Sequence, residues 1–319
     1  MEQNKLVSVI IPNYNHAPYL KQRIESVLNQ TYNNIEVIIL DDRSSDNSLE
    51  IINNYQTNHK IKQIVANSQN SGNTFTQWEK GFSLAKGDFI WIAESDDYAE
   101  PTLLEKAVEV LQRNNDMALC QVGATIVDTN NQPIDLNYDR WTKENPKPFI
   151  FDCKTYIKKY LRWSNTLYNA SGIIFRRDIL TEGMMQKTKE FRVSGDWIFW
   201  LQIVEKSQQI GIIRQKLNYF RKHDKSVSFK TPIAEKIKIL DYLIQQGYFP
   251  KNNTALWIIT GIIQRHIKHT PDEQDKIKYT EYLAKTTGLR SRMPYHFSQF
   301  CKFTNYILPF NTFPPSKKM

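Results

Sequence analysis

No run in this chain of 319 residues approaches the roughly 18–20 consecutive apolar residues that a membrane span needs. Cysteine is scarce: Cys120, Cys153 and Cys301 are odd in number, far apart and not in a metal spacing, which suits reduced thiols in a cytoplasm. No G-x-G-x-x-G follows the first strand-like run, which argues against a dinucleotide-dependent oxidoreductase. A glycine-rich basic loop is missing from the same place, which counts against a nucleotidyltransferase such as a pyrophosphorylase. There is no nucleic-acid-binding motif, no internal repeat and no low-complexity tract. Met1 to Lys5 lead straight into a strand and leave no room for a signal peptide, so the expected location is the cytoplasm.

The composition is that of a globular protein, with 40% apolar and 24% charged residues. The length fits one large α/β domain with an appendage, or two domains. The net charge of +9 is uneven: residues 230–319 hold 14 Lys and Arg against 6 Asp and Glu. A boundary is therefore expected near residue 229, with a helical, basic C-terminal region at 230–319. Such an end suits nucleic acid, an anionic membrane surface or plain solubility. The stretch before it is close to neutral, which argues against a nucleic-acid channel there.

That first stretch alternates strands and helices. Leu6–Pro12, Ile35–Leu40, Ile61–Ala66 and Phe89–Ala93 read as strands. Amphipathic helices are expected over Tyr19–Gln30, Ser48–Tyr55 (capped by Ser45 or Asp46), Phe75–Ala85 and Pro101–Arg113. A β-α-β-α-β-α-β order predicts a parallel sheet with right-handed crossovers. Strands are further expected over 118–127, 132–137, 169–177 and 211–220. Helices are expected over 152–162, 196–204, 237–245, 255–269 and 273–286, and 138–149 reads as a loop.

Three polar clusters follow strands of this sheet: Asn13-Tyr14-Asn15, Asp41-Asp42-Arg43-Ser44-Ser45-Asp46, and Glu94-Ser95-Asp96-Asp97. Ligands of open α/β sheets collect beyond the carboxyl ends of the strands. Carboxylates delivered there suit a hard divalent cation shared with a substrate phosphate; an acidic Asx turn is the plainer alternative.

Together with Gly195-Asp196-Trp197 and Tyr219-Phe220-Arg221-Lys222-His223, these motifs resemble family 2 glycosyltransferases of the GT-A fold, enzymes of bacterial surface-polysaccharide assembly. The resemblance covers about residues 6–229. It implies a Rossmann-like, mostly parallel sheet flanked by helices, with a C-terminal helical extension. It implies an inverting hexosyl- or hexosaminyltransferase that uses a nucleoside-diphosphate sugar, expected to be a UDP-sugar, and Mn²⁺ or Mg²⁺. By the same resemblance Pro12, Asn13 and Tyr14 line the nucleotide pocket, Asp41 supports its turn and Asp42 accepts from the base. Asp96 lies near the ribose, Asp97 and His223 hold the metal, Arg221 closes over the diphosphate, and Asp196 is the general base. Asp196 also suits a helix cap, and the two roles are compatible. Arg43 stands where the family often has Gly, and the Arg-Asn pair common in the helix around Trp78 and Lys80 is missing.

The resemblance implies a glycan or polyprenyl-linked acceptor. The alternatives are a nucleotidyltransferase, or a non-catalytic module that binds nucleotide or membrane. The apolar run Ala255–Ile263, with Arg265, His266 and Lys268 behind it, suits peripheral contact with the inner membrane; a packed helical subdomain or a homodimer contact suits it equally.

Overall fold

The computed structural model describes residues 5–135, 147–223, 232–249 and 272–287. The chain divides into two units, Met1–Phe229 and Lys230–Met319.

The first unit opens with β1 (Val7–Asn13), α1 (Ala17–Leu28), β2 (Ile35–Asp41), α2 (Ser48–Asn53), β3 (Ile61–Ala66), α3 (Thr74–Leu84) and β4 (Phe89–Ile92). These give the parallel order β3-β2-β1-β4. Every residue of β1, β2 and β4 is buried, as expected of parallel strands covered on both faces. Four of the buried residues are polar and pair across β1 and β2, Asn13 with Asp41 at the carboxyl end and Ser8 with Glu36 at the other. The Ser8 hydroxyl donates to Glu36 at 2.5 Å, and Glu36 accepts the backbone N–H groups of Lys86 and Gly87. A Cβ on Gly87 would lie 2.6 Å from the Ser8 nitrogen, so no larger residue fits where the chain enters β4.

The second half of the sheet is mixed. It contains β5 (Tyr98–Ala99), β6 (Met117–Val127), β7 (Phe149–Asp152), β8 (Ile173–Arg176) and β9 (Gln209–Arg221). β8 lies antiparallel between β4 and β6, β9 runs parallel to β6, and both β5 and β7 pair with β9. Its helices are α4 (Leu103–Gln112), α5 (Cys153–Tyr156, continued by a π turn at Ile157–Leu161), α6 (Met184–Lys189) and α7 (Gly195–Glu205). On one face of the sheet α3 and α7 carry an aromatic layer. Trp78 meets Phe75, Phe199 and Trp200, and Phe82 stacks on Phe199. Trp200 is fully buried there and also meets Phe175 of β8.

The departures from sequence expectation are local. The helix expected from Pro101 starts at Leu103, after the Tyr98–Ala99 pairing with β9. The strand expected at 169–177 begins at Ile173, because Ala170–Gly172 form a 3₁₀ turn. Of the strand expected at 132–137, one bridge between Val127 and Pro133 is present among the described residues. Proline has no N–H with which to extend a ladder. Neither Ser45 nor Asp46 occupies the α2 N-cap position, which is Asn47. Asp46 instead accepts the backbone N–H groups of Ser48 and of Ala17, tying together the starts of α2 and α1. The loop expected at 138–149 falls largely outside the described residues, and the helix expected at 255–269 does so entirely.

The second unit contains α8 (Ile233–Gln245) and α9 (Glu273–Thr287), joined by a hydrogen bond from the Tyr282 hydroxyl to Asp241. No helix among the described residues is long and apolar enough to cross a membrane.

Truncating Trp200 to Ala removes the hub of the aromatic layer. It should lower the unfolding free energy by about 3–5 kcal/mol in a urea titration. A loss below about 1 kcal/mol would contradict this assignment of the core.

Candidate functional site

Because β1, β2 and β4 run parallel, their carboxyl ends open on one edge. Asn13 ends β1 directly opposite Asp41 at the end of β2. The Asn13 side-chain amide donates to Asp41 at 2.8 Å, and the Ser44 backbone N–H and hydroxyl donate to the same carboxylate. These bonds pin the turn after β2, where Arg43 adopts φ +63°. An exposed arginine thus takes the left-handed conformation that glycine adopts freely, at a cost of about 1–2 kcal/mol. Asn15 is left-handed as well, at φ +55°, and its side chain accepts the Ser45 N–H. Between them Tyr14 presents its ring to solvent, 48% exposed, while Pro12 is buried in β1 opposite Leu40.

Asp42 is nearly buried and heavily engaged. Its carboxylate accepts from Asn67, from Gln77, and from both the backbone N–H and the hydroxyl of Ser71. Lys80 reaches this network indirectly, donating to the side-chain amide oxygen of Asn67 at 2.6 Å.

The acidic turn after β4 sorts its three carboxyl groups. Asp97 is 2% exposed and turned inward, where it accepts the Arg221 backbone N–H at 2.9 Å and the Asn169 amide at 3.3 Å. Burial, reinforced by the neighbouring Asp96 charge, raises its pKa to about 7. Glu94 is half-buried beneath the Trp78 indole, which donates to it at 2.8 Å. Burial and the Asp96 charge push its pKa to about 8. Burial acts on Asp96 too, but the His223 hydrogen bond and the nearby His16 and His223 outweigh it and hold that carboxyl below its ordinary value.

Asp96 is the one of the three whose carboxyl is held below its ordinary value, and its surroundings are those of a cation site. One ligand atom from each of His16, Asp96 and His223 lies within 4.8 Å of the others. His223 Nε2 is 3.1 Å from Asp96 Oδ2, and Ser95 Oγ is 2.8 Å from His16 Nδ1. A hydrogen-bonded partner on an imidazole orients the ring for a metal, as in many metal sites. Sequence reasoning expected Asp97 with His223; here Asp96 stands beside His223, and Asp97 lies beneath the turn. His16, the third member, carries no signal in the sequence, because a lone histidine in a loop has no spacing to mark it.

Two buried arginines brace this turn. Arg221, expected at the diphosphate, is 1% exposed and does not present its guanidinium to the crevice. Its guanidinium donates to the Asp96 and Asp128 carbonyls and to the side chains of Gln22 and Asn131, over the Tyr19 ring. Arg23 on α1 is fully buried; its Nε donates to the Glu94 carbonyl, and a terminal nitrogen lies 4.0 Å from Asp97. Burial lowers its pKa to about 10.

Asp196 sits in the first turn of α7, half-buried. Gly195 lets it approach: a Cβ there would lie 2.4 Å from the Phe75 ring and 2.6 Å from the Thr188 carbonyl. The segment before β8 links this carboxylate to the acidic turn. Asn165 donates to Asp196 at 2.8 Å, Asn169 donates to Asp97, and the Ser171 hydroxyl accepts the Glu94 N–H. The sequence predicts a strand for part of that segment, 169–177.

A family model described as "Glycosyl transferase family 2" matches residues 8–183. An uncharacterised glycosyltransferase of Nostoc sp. is 31% identical over 221 residues, which is 68% of this chain and 65% of that protein. Glycosyltransferase GlyG of Streptococcus pneumoniae is 35% identical over 112 residues, 35% of this chain and 37% of GlyG. The matched stretches therefore span less than two thirds of these relatives. Among solved structures, that of S. aureus TarS 1–349 in complex with UDP-GlcNAc aligns with a TM-score of 0.67 at 17% identity, covering 88% of this chain and 80% of that one. At that identity the likeness speaks for the fold.

The left-handed turn yields a direct test. Arg43→Val should leave the protein about 1–2 kcal/mol less stable than Arg43→Gly, because a β-branched residue resists positive φ. Equal melting temperatures for the two variants would contradict the geometry of this turn.

Proposed function

Because the chain belongs to glycosyl transferase family 2 and is an enzyme of the glycosyltransferase class, we propose that it moves a sugar from a nucleoside-diphosphate sugar, of the UDP type, to a hydroxyl of a glycan or lipid-linked acceptor. The observation that carries this reading is the cluster of His16, Asp96 and His223 at the sheet edge where the loops after β1, β2 and β4 meet. The UDP-GlcNAc complex of TarS, which shares the fold, supports the choice of donor.

In this reading the loop Pro12-Asn13-Tyr14 and the turn held by Asp41 form the nucleotide pocket, with the exposed Tyr14 ring available to stack on a base. Asp42 accepts from the base only when Ser71 or Gln77 gives up a hydrogen bond to it, since internal donors already occupy its oxygens. The mixed nitrogen and oxygen donors of the cluster suit Mn²⁺ better than Mg²⁺, which prefers oxygen alone. A cation bound there would neutralise charge growing on the departing diphosphate. Asp97, Arg23 and Arg221 hold Asp96 in position from below. Asp196 takes the proton from the acceptor hydroxyl as that oxygen attacks the anomeric carbon. A single base opposite the leaving group gives inversion, without the carboxylate pair of hydrolases. Residues 1–229 form the catalytic unit, and residues 230–319 contact acceptor, membrane or a second copy.

Calorimetric titration with UDP, with Mn²⁺ and with chelator, tests the site. Asp96→Asn should abolish the Mn²⁺-dependent part of UDP binding; full retention of that part would overturn the cation assignment. Asp196→Asn should keep UDP affinity yet slow transfer about 10²–10⁴-fold. An Asp196→Asn enzyme with ordinary turnover would remove Asp196 from the mechanism.

A further inference from the structure

Beside Asp196 runs a stretch whose charge has one sign. From Cys153 to Arg177 there are six Lys and Arg and no Asp or Glu. Two of these are engaged internally: Arg176 donates to the Met117 and Leu111 carbonyls, and Arg177 to the Gly87 carbonyl. Of the other four, Lys154, Lys158 and Lys159 fall on α5 and its π turn, and Arg162 caps the end of that turn. Lys154, Lys158 and Arg162 recur every fourth residue, so they share one side of the helix. The three lysines are exposed, and among the described residues none forms an ion pair or side-chain hydrogen bond. Asp152, at the start of α5, accepts the Thr155 N–H and feels the Lys154 charge. No acid lies beyond it on this element.

The stripe is tied to the catalytic carboxylate. The Leu161 carbonyl accepts the indole N–H of Trp197, the residue after Asp196, at 2.7 Å. Three residues past Arg162, Asn165 donates to Asp196 itself. The Arg162 guanidinium lies 4.6 Å over the Trp163 ring, a charged edge backed by a flat apolar face of the kind that sugars stack on. From Lys154 to Arg162 the helix advances roughly 12 Å, longer than one monosaccharide or one phosphate group. A membrane-docking helix would project apolar side chains beside its cations, whereas Cys153, Tyr156 and Leu161 are buried here.

We propose that this stripe is the docking surface for the acceptor, and that the acceptor is an anionic glycan carrying carboxylate or phosphate groups along its chain. This rests on the transfer reaction proposed above. The lysines pair with successive anionic groups, and the Arg162–Trp163 edge guides the terminal hydroxyl toward Asp196.

The test uses the full chain and two fluorescent probes, octagalacturonate as the anionic glycan and maltooctaose as the neutral one, followed by anisotropy at low salt. The anionic probe should bind at least about tenfold more tightly than the neutral one. Lys158→Glu/Lys159→Glu should weaken it about tenfold or more, and Lys158→Gln/Lys159→Gln by less. The equal charge change Lys21→Glu/Lys62→Glu, placed elsewhere, should stay within about threefold of the parent. Unchanged UDP binding in the same variants separates this surface from the donor site. If the double glutamate variant does not fold, the glutamine variant decides. Equal weakening by both reversals, or no preference between probes, would overturn the inference. So would binding to anionic vesicles that the double reversal abolishes, with no binding of the glycan probe. Failure of the parent protein to bind UDP would count against the transfer reaction instead.

Discussion

Two buried guanidinium groups hold the acidic turn, and the rest of the site depends on that grip. Arg221 on β9 donates to the Asp96 carbonyl, and its own backbone N–H reaches Asp97. Arg23 on α1 donates to the Glu94 carbonyl and faces Asp97. Burying such charges is costly without opposite charge and hydrogen bonds nearby, and breaking a buried pair typically costs about 3–5 kcal/mol. The clamp fixes the backbone on both sides of Asp96, so that this carboxylate alone projects toward His16 and His223.

Three remote parts of the chain are thereby joined. α1 delivers Arg23, the end of β9 delivers Arg221 and His223, and the segment before β8 delivers Asn169 and Ser171. That last segment also holds Asp196 through Asn165, so Asp196 and the acidic turn share one support. The aromatic layer beneath α3 and α7 completes the frame. Trp78 packs in this layer while its N–H reaches Glu94, so core packing and the site meet in one side chain.

Much of this was legible in the sequence. The alternation of apolar runs with amphipathic stretches gave the parallel half of the sheet, and the polar clusters after β1, β2 and β4 gave its working edge. The mixed half was harder to read. Whether β8 inserts antiparallel between β4 and β6 depends on long-range pairing that a four-residue strand cannot encode. Within the site, Asp96 and Asp97 are adjacent and chemically alike, so only packing decides which one turns inward against Arg23 and Arg221. Arg221 carried a charge in a suggestive motif, yet backbone carbonyls that no sequence pattern reveals engage its donors. Nothing in the amphipathic pattern of Tyr19–Gln30 marks out Arg23, which is fully buried. His16 became visible only when the fold brought it to His223, with their rings 5.6 Å apart.

The most direct measurement is anomalous scattering at the manganese edge from crystals grown with Mn²⁺ and UDP. The account predicts one strong peak bounded by His16, Asp96 and His223, with Asp97 outside its coordination shell. A peak ligated by Asp97, or one away from this cluster altogether, would contradict it.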